Sequence, residues 1–491
     1  MKNYSYLDMV HELLNEPEFL EFEKCYSNPI KKSLKPISHR WVNNDKDLRS
    51  ILINILSKER NLSEPEFSYK WNKYNDVLFA TRKGNLSPAS LGSHYLHQAW
   101  LIYVQEMAAS LSVQILWVKS WDKVLDMCAA PWWKTIQICD KLLDWESDKN
   151  KEWFLISNEI DSWRIKALES NLHRCWIRNT CIIQEDGINL GKTFPELFDK
   201  VLLDAPCSWE GMQYKSDKKI WAWDEKKSRK LSELQTNLLI SWLNALKVGW
   251  ELVYSTCTTN ILENELVVSN VLSQLWDSVE LLQVPLDGGA NWICERRWKK
   301  ILGIEDWKKV ARLRPHMHNT WWFFIAKFKK VWHISDKIGY INDVIQDNQQ
   351  ISDEKIRNEL SFWWIDKVGD LSFCKWRYTI NVSTTLLINS GVINSVKRVN
   401  VWLPIFKILE DSKSNQTKLI PLVGISQIFW NHASKNFISI DDSQLKIIMS
   451  KLDLRDDRLR EYEWKYVLLL WNWVGVWLVS VQKWIGKNKC F

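Results

Sequence analysis

The sequence predicts an α/β protein built around a doubly wound, mostly parallel sheet. In residues 91–330 apolar strand segments alternate with amphipathic helical segments, a pattern typical of a parallel sheet with helices on both faces. The chain has 491 residues, which is enough for two or three domains. Hydrophobic residues make up 46% and charged residues 25%, both ordinary for a globular protein with a sizeable core.

The elements of this central segment follow one another in order. Strands are expected at 123–128, 154–160, 181–186, 200–206, 251–256 and 321–330. Helices are expected at 134–143, 161–175, 225–247 and 261–276. Because parallel strands need a long crossover, the helices between these strands favour a parallel arrangement.

The flanking segments differ in composition from the central one. Residues 1–90 are mixed and charged and predict an α+β domain. Residues 331–395 are polar and predict a connecting subdomain, whereas 396–491 hold short strands and turns typical of a β-rich domain. The apolar run at 466–481 is too short and turn-rich for a membrane span and is expected to form two strands joined by a turn.

Charge and cysteine usage narrow the class of protein. The net charge of +7 and a pI near 8.7 permit a polyanionic partner. Ten cysteines occur without paired CxxC spacing, which argues against a zinc site or a disulfide framework and favours a reducing cytosol. The start, MKNYSYLDMV, shows no signal peptide. We therefore expect a cytoplasmic protein with no bound metal and no membrane segment.

Tryptophan is far too common and glycine far too rare. The chain has 33 Trp and 15 Gly, whereas average usage gives about 34 Gly. Many of the tryptophans stand in turn-like stretches such as "CSWEGM" and "HNTWWFF". We hypothesise that most of them are glycine in the working protein, as happens when a gene that reads UGA as glycine is translated with UGA as tryptophan. The alternative is a truly tryptophan-rich protein.

Four acidic residues lie at or near the carboxyl ends of the predicted strands, where α/β sheets bind ligands. They are Asp126, Glu159, Asp186 and Asp204. The turn 128–134 would wrap a cofactor closely if 132 and 133 were glycine. The turn, the acid after the second strand and the two later acids together favour an adenosine-containing cofactor. Since both GxGxxG and P-loop patterns are absent from the turn, S-adenosylmethionine is favoured over NAD and ATP.

Two cysteines follow strands and are expected to face the same cleft. Cys207 follows "LLDAP" and Cys257 lies in "YSTCTTN". A lone cysteine is most often a small buried hydrophobe, but two beside a cofactor turn favour chemistry. Carbon 5 of cytosine becomes nucleophilic only after a thiolate adds to carbon 6, and a second group must then help to release the product.

Ordered motifs make the chain resemble the Sun-type RNA cytosine-5 methyltransferases, especially the RsmF-like bacterial ribosomal RNA enzymes. The resemblance covers roughly 90–330, and nearly every departure is a tryptophan at a family glycine position. The motifs are "HQAWLIYVQEMAAS" (97–110), "DMCAAPWWKT" (126–135), "SNEIDSWRIKALESNLHRCWIRN" (157–179), "DAPCSWEGM" (204–212), "LKVGWELVYSTCTTNILENE" (246–265) and "RLRPHMHNTWWFFIAKF" (312–328).

The resemblance implies a Rossmann-like methyltransferase sheet and a role for each site residue. Cys257 would attack carbon 6, Cys207 would assist product release, and Asp204 would contact the cytosine ring nitrogen beside the cofactor. Glu159 would bind the ribose and Asp186 would lie near the adenine. The S-adenosylmethionine loop would comprise Cys128, Ala129, Ala130, Pro131, Trp132, Trp133 and Lys134. Indoles at 132 and 133 are expected to occlude the pocket.

The flanks and the partner follow from the same resemblance. Residues 1–90 would be an N-terminal α+β RNA-binding domain, 91–330 the methyltransferase domain and 396–491 a PUA-like RNA-binding domain. The implied activity is methylation of cytosine carbon 5 in RNA, with ribosomal RNA the expected substrate and a monomer the expected state. Transfer RNA methylation and a non-catalytic role in RNA binding or ribosome assembly are the alternatives.

Overall fold

The computed structural model describes most of the central segment and parts of both flanks. The described residues are 6–26, 32–37, 78–80, 94–130, 133–142, 153–175, 177, 179–211, 223–286, 308–318, 320–334, 371–376, 379–384, 398–400, 403–411, 416–422, 436–462, 466–471, 474–482 and 485–487.

The described helices and strands are numbered in chain order. The helices are α1 Tyr6–Leu13, α2 Glu16–Tyr26, α3 Tyr95–Gln98, α4 Met107–Leu116, α5 Trp133–Leu142, α6 Ser162–Arg174, α7 Gly187–Thr193, α8 Glu225–Ala245, α9 Glu265–Gln274, α10 Pro315–His318 and α11 Asp442–Met449. The strands are β1 Lys32–Pro36, β2 Leu78–Ala80, β3 Ile102–Gln105, β4 Lys123–Asp126, β5 Phe154–Asn158, β6 Thr180–Ile183, β7 Phe198–Asp204, β8 Leu246–Thr256, β9 Val279–Leu282, β10 Ala311–Leu313, β11 Phe323–Lys330, β12 Leu371–Trp376, β13 Thr379–Thr384, β14 Arg398–Asn400, β15 Leu403–Asp411, β16 Gln416–Pro421, β17 Phe437–Ile440, β18 Leu454–Arg455, β19 Tyr466–Trp471, β20 Val474–Gln482 and β21 Ile485–Lys487.

The main sheet confirms the predicted fold class. Within the described residues it has nine strands in the order β10-β11-β8-β7-β4-β5-β6-β14, with β9 paired to β11. The five strands from β8 to β6 are parallel to one another, and β11 runs antiparallel to β8. The strand order doubles back at β4, so the sheet is wound in both directions from this point, where open α/β sheets bind ligands.

Burial on both faces explains why these strands read as continuous apolar runs. All five residues of β5 are buried, as are the first six of the seven in β7. One core cluster packs against α8 through Trp242 and Leu239, and the other packs against α5 and α6 through Ile136 and Leu168. The central strands therefore form a rigid middle layer whose carboxyl edge carries the loops.

Aspartate caps fix where the helices of this layer begin. The Asp161 carboxylate accepts hydrogen bonds from the backbone N–H groups of Trp163 and Arg164 at the start of α6. Asp186 caps α7 through the N–H of Ile188. Such caps satisfy backbone donors that the helix itself leaves unpaired.

The structure adds elements that the sequence pattern did not indicate. Helix α4 precedes the first strand of the main sheet, and β14 pairs antiparallel with β6 at the sheet edge. The helix expected over 261–276 is shorter, since α9 begins at Glu265.

Smaller sheets surround the main one. A four-stranded sheet has the order β12-β13-β15-β16 and so draws strands from both sides of residue 395. A five-stranded sheet near the C-terminus includes β19 and β20, which pair antiparallel as the two strands expected in 466–481. These sheets confirm the expected β-rich C-terminal part. No helix among the described residues has the length and apolarity that crossing a bilayer requires.

Candidate active site

The acidic residues expected at strand ends do come together at the carboxyl edge of the sheet. Asp126 ends β4, Glu159 directly follows β5, and Asp204 ends β7. Because these strands are parallel neighbours, the three carboxylates lie on the same side. Asp186 follows β6, where its exposed side chain caps α7.

The turn after β4 lies directly against this acidic edge. Ala129 and Ala130 are buried, and the Ala129 N–H donates to the Asn158 carbonyl oxygen at 3.1 Å. The Ala130 carbonyl accepts a hydrogen bond from the Arg164 guanidinium. Cys128 is partly buried, and burial together with the nearby Glu159 carboxylate raises the pKa of its thiol. Cys128 is therefore a neutral wall of the turn rather than a nucleophile.

The second half of the turn contains the two tryptophans. Pro131 and Trp132 lie outside the described residues. Trp133 begins α5, and its indole stacks on the Tyr103 ring with centroids 5.8 Å apart. Lys134 is buried and its ammonium forms an ion pair with the Asp204 carboxylate.

Glu159 has the free acceptor that a ribose-binding residue needs. The side chain is buried, and its Oε1 accepts a hydrogen bond from the Asp161 N–H at 3.0 Å. Its Oε2 lies 3.4 Å from Arg164 Nη1 and accepts no hydrogen bond within the described part of the chain. Oε2 can therefore accept a hydrogen bond from a ligand hydroxyl such as one of a ribose.

Asp126 is the most strongly perturbed carboxyl group of the edge. It is completely buried, and the removal of water raises its pKa to about 7, a shift that the Thr135 hydroxyl partly opposes through a 2.6 Å hydrogen bond. The neighbouring charges of Asp204 and Glu159 raise the pKa further. Perturbation of this kind is typical of functional clefts.

The two predicted cysteines meet beside Asp204. Cys207 lies in the loop after β7 and Cys257 in the loop after β8, and their Sγ atoms are 3.3 Å apart. Burial and the adjacent Cys257 raise the pKa of the Cys207 thiol well above its usual range. The Ser255 hydroxyl donates to Asp204 Oδ1 at 3.0 Å, which connects the end of β8 to the Asp204 carboxylate. Two thiols and a carboxylate therefore lie together at the carboxyl edge of the sheet.

A network of polar side chains, most of them buried, supports the two loops that carry Cys207 and Cys257. The sequence pattern did not predict it. It comprises side chains from the two cysteine loops and from α8, namely Ser208, Glu210, Thr258, Asn260, Glu263 and Gln235. A signal was present, because "CSWEG" and "CTTNILENE" place several polar residues directly after apolar strands. Pattern alone does not show which of them are buried together.

Some tryptophans have a left-handed backbone conformation that side chains with a Cβ rarely adopt. Three of the six non-glycine residues with positive φ among the described residues are tryptophan, namely Trp100, Trp117 and Trp209 with φ of 54°, 56° and 63°. This left-handed region favours glycine, so these three positions support the glycine hypothesis. Trp133 lies in a helix and Trp250 within β8, so backbone conformation does not require glycine there.

Fold and site together define a methyltransferase of the Rossmann-like class. Residues 113–329 match the family described as 16S rRNA methyltransferase RsmB/F. This part of the chain is therefore similar to the methyltransferase domain of the RsmB/F type, which agrees with the resemblance seen in the motifs.

Individual relatives agree with the family match. The chain is 35% identical over 294 residues to "Ribosomal RNA small subunit methyltransferase F" of Escherichia coli O17:K52:H18, covering 57% of each chain. It is 34% identical over 334 residues to the protein of the same name from Shigella dysenteriae serotype 1, covering 66% of this chain and 63% of that relative. The matches thus span less than two thirds of either relative's length.

Solved structures share the fold. A methyltransferase homolog protein from Pyrococcus horikoshii is 26% identical with a TM-score of 0.52, over 66% of this chain and 93% of that chain. NSun6 from Pyrococcus horikoshii is 22% identical with a TM-score of 0.53, over 67% of this chain and 98% of that chain, and shows the fold alone.

Proposed function

We propose that this protein transfers a methyl group from S-adenosylmethionine to carbon 5 of a cytosine in RNA, through a covalent adduct on Cys257. The proposed substrate is ribosomal RNA. The observation that carries the proposal is the pair of thiols, 3.3 Å apart, on the loops after β7 and β8, at the same carboxyl edge of the sheet as the turn after β4. Related enzymes of the RsmB/F family act on 16S rRNA, which supports ribosomal RNA as the substrate and the cytoplasm as the place of action.

Apart from the tryptophans at 132 and 133, the residues of the site fit the cofactor. Glu159 Oε2 is a buried acceptor for ribose hydroxyls, and Ala129 and Ala130 of the turn are hydrogen-bonded to Asn158 and Arg164 beside it. Asp186 would face the adenine from the exposed end of β6. When bound, S-adenosylmethionine supplies an electrophilic methyl group.

The chemistry of the thiols then follows from their surroundings. Cys257 as thiolate adds to carbon 6, so a carbon–sulfur bond forms and electron density moves to carbon 5. Asp204, in contact with the ring nitrogen, would stabilise the protonated form of the ring and with it that density. After methyl transfer, a water molecule takes the proton from carbon 5, the electrons of that carbon–hydrogen bond re-form the double bond between carbons 5 and 6, the carbon–sulfur bond breaks and Cys257 leaves as thiolate. Cys207, whose raised pKa keeps it a neutral thiol, assists this release.

Recognition of the RNA uses the basic surface and the extra domains. A target cytosine in structured RNA must be unstacked to reach carbon 6, and such base flipping costs a few kcal/mol. Phosphate contacts from lysine and arginine would position the RNA without reading its sequence. The β-rich C-terminal part is the candidate for an RNA-binding domain of the PUA type.

The test uses a protein with tryptophan-to-glycine substitutions, called here the glycine variant. It carries glycine at the positions where the family motifs have glycine, namely Trp100, Trp132, Trp133, Trp176, Trp209, Trp250, Trp321 and Trp322. Bisulfite sequencing of total RNA from cells with and without the gene identifies the methylated cytosine. The purified glycine variant should methylate the same RNA, and Cys257→Ala should abolish turnover.

Three other outcomes separate the alternatives. Methylation confined to transfer RNA would replace ribosomal RNA as the substrate. Binding of ribosomal RNA without methyl transfer or adduct would favour the non-catalytic assembly role. The chain with all its tryptophans is expected to bind no S-adenosylmethionine, and micromolar binding measured by calorimetry would contradict the expected occlusion by Trp132 and Trp133.

A further inference from the structure

The backbone on both sides of Cys207 is fixed by two buried side chains. Gln235, on α8, donates from Nε2 to the Pro206 carbonyl oxygen at 2.8 Å. Glu263, in the segment after Cys257, accepts from the Ser208 N–H at 3.0 Å. These two side chains also bond to each other, Gln235 Nε2 to Glu263 Oε2 at 3.0 Å.

Both side chains are fully buried and well supported. Gln235 and Glu263 are each 0% exposed. Glu263 Oε1 accepts from Asn260 Nδ2 at 2.8 Å, and its backbone N–H donates to Asn260 Oδ1 at 2.9 Å. The Tyr254 hydroxyl donates to the Glu263 carbonyl at 2.6 Å. The Glu263 carboxylate thus has no freedom to move without breaking several hydrogen bonds at once.

A second set of contacts ties the two cysteine loops directly. The Gly211 N–H donates to the Cys257 carbonyl oxygen at 3.0 Å. A Cβ at Gly211 would lie 2.6 Å from that oxygen, so the loops approach too closely for any other residue. Ser208 and Thr258 share a hydrogen bond of 2.9 Å between their hydroxyls. The Cys257 loop is therefore anchored independently of Gln235, whereas the flanks of Cys207 depend on Gln235 and Glu263.

We infer that Gln235 and Glu263 are positioning residues that hold the Cys207 thiol in place for the release of the methylated product. This inference rests on the proposed function and assigns these two residues to its last step. Neither side chain is bonded to Cys257 or its backbone, so their loss should leave attack on carbon 6 largely intact. Misplacing Cys207 should slow cleavage of the carbon–sulfur bond and leave the RNA attached to Cys257.

The experiment compares covalent RNA adduct and turnover in variants of the glycine variant. Gln235→Leu and Glu263→Ala should lower kcat by about 10-fold to 100-fold, as a displacement of about 1 Å at a catalytic group does. KM for RNA should fall in parallel and kcat/KM should stay nearly unchanged, because attack and methyl transfer precede the slowed step. Both should accumulate adduct on denaturing gels, to a level between the parent and Cys207→Ala. Glu263→Gln, which keeps one acceptor for Ser208, should lie between Glu263→Ala and the parent.

Gln137→Leu is the matched control. Gln137 is also a fully buried glutamine that donates from Nε2 to a backbone carbonyl, that of Ser110, at 2.9 Å. Its loss should lower stability without adding adduct. If Glu263→Ala does not fold, Gln235→Leu still decides the question.

The proposed function and the positioning role are contradicted by different outcomes. No adduct with Cys207→Ala contradicts the proposed function. The positioning role is contradicted if Cys207→Ala accumulates adduct while Gln235→Leu and Glu263→Ala stay at the parent's level. It is also contradicted if Gln137→Leu accumulates as much adduct as Gln235→Leu.

Discussion

Replacing Trp209 tests whether this position is built for glycine. Trp209 has φ of 63°, and its side chain is 58% exposed. A residue with a Cβ costs about 1–2 kcal/mol in this region, whereas glycine does not. Trp209→Ala and Trp209→Gly lose the same indole contacts, so their difference isolates the backbone term. Glycine has more conformational freedom in the unfolded chain, and this offsets about 0.5–1 kcal/mol of that gain. Trp209→Gly should therefore be more stable than Trp209→Ala by roughly 0.5–1 kcal/mol.

Trp163 is the matched control for this comparison. It lies in α6, and its side chain is 77% exposed. Here glycine should be less stable than alanine by about 0.5–1 kcal/mol, because a helix favours alanine. Urea unfolding followed by circular dichroism gives the four values. The reasoning is refuted if alanine is the more stable replacement at both positions.

Three further predictions concern buried groups. The pKa of Asp126 is raised from 3.8 to about 7, so the native protein loses stability as the pH rises through that window. Asp126→Asn should remove this loss, so the difference in unfolding free energy between the variant and the parent, measured in urea, should shift in favour of the variant by about 4 kcal/mol by pH 8. A difference that does not change with pH would contradict the assignment. Arg312→Met leaves the buried Glu265 carboxylate unpaired and should cost about 3–5 kcal/mol, most of it recovered when Glu265→Leu is added; no recovery would contradict the cause. Gly191→Ala places a Cβ 1.9 Å from the Ser241 carbonyl oxygen and should cost about 1–3 kcal/mol in the same assay, whereas a neutral effect would show that α7 and α8 separate freely.

The central sheet was predictable because its signal is local. Apolar runs of four to seven residues gave β4, β5, β6 and β7 close to their observed bounds, and gave the carboxyl-terminal half of β8, which begins earlier, at Leu246. Antiparallel strands such as β9 and β10 were not predicted, since three or four residues carry too little periodicity. Pairing of β14 with β6 depends on a contact between distant segments, which no local pattern encodes.

The candidate site was predictable in its chemistry but not in its support. Strand ends and order located Asp204, Cys207 and Cys257. Their partners, such as Gln235 and Glu263, come from a helix and a loop far along the chain. A buried glutamine on a helix reads as an ordinary polar residue until the fold shows the carbonyl that it faces.

The glycine hypothesis has its own direct measurement. Intact-mass spectrometry of the protein from its native host gives the number of tryptophans. A mass matching 33 tryptophans would contradict the hypothesis. A mass lower by many tryptophan-to-glycine differences would support it, and peptide sequencing would then show whether 132 and 133 are among them.

The covalent intermediate provides the most direct measurement of the central claim, that Cys257 carries the RNA during methyl transfer. The Cys207→Ala form of the glycine variant is incubated with substrate RNA and S-adenosylmethionine, digested, and analysed by peptide mass spectrometry. The account predicts a methylated cytosine nucleotide linked to the peptide that contains Cys257. Methyl transfer with no linked peptide, or linkage to another cysteine, would contradict it.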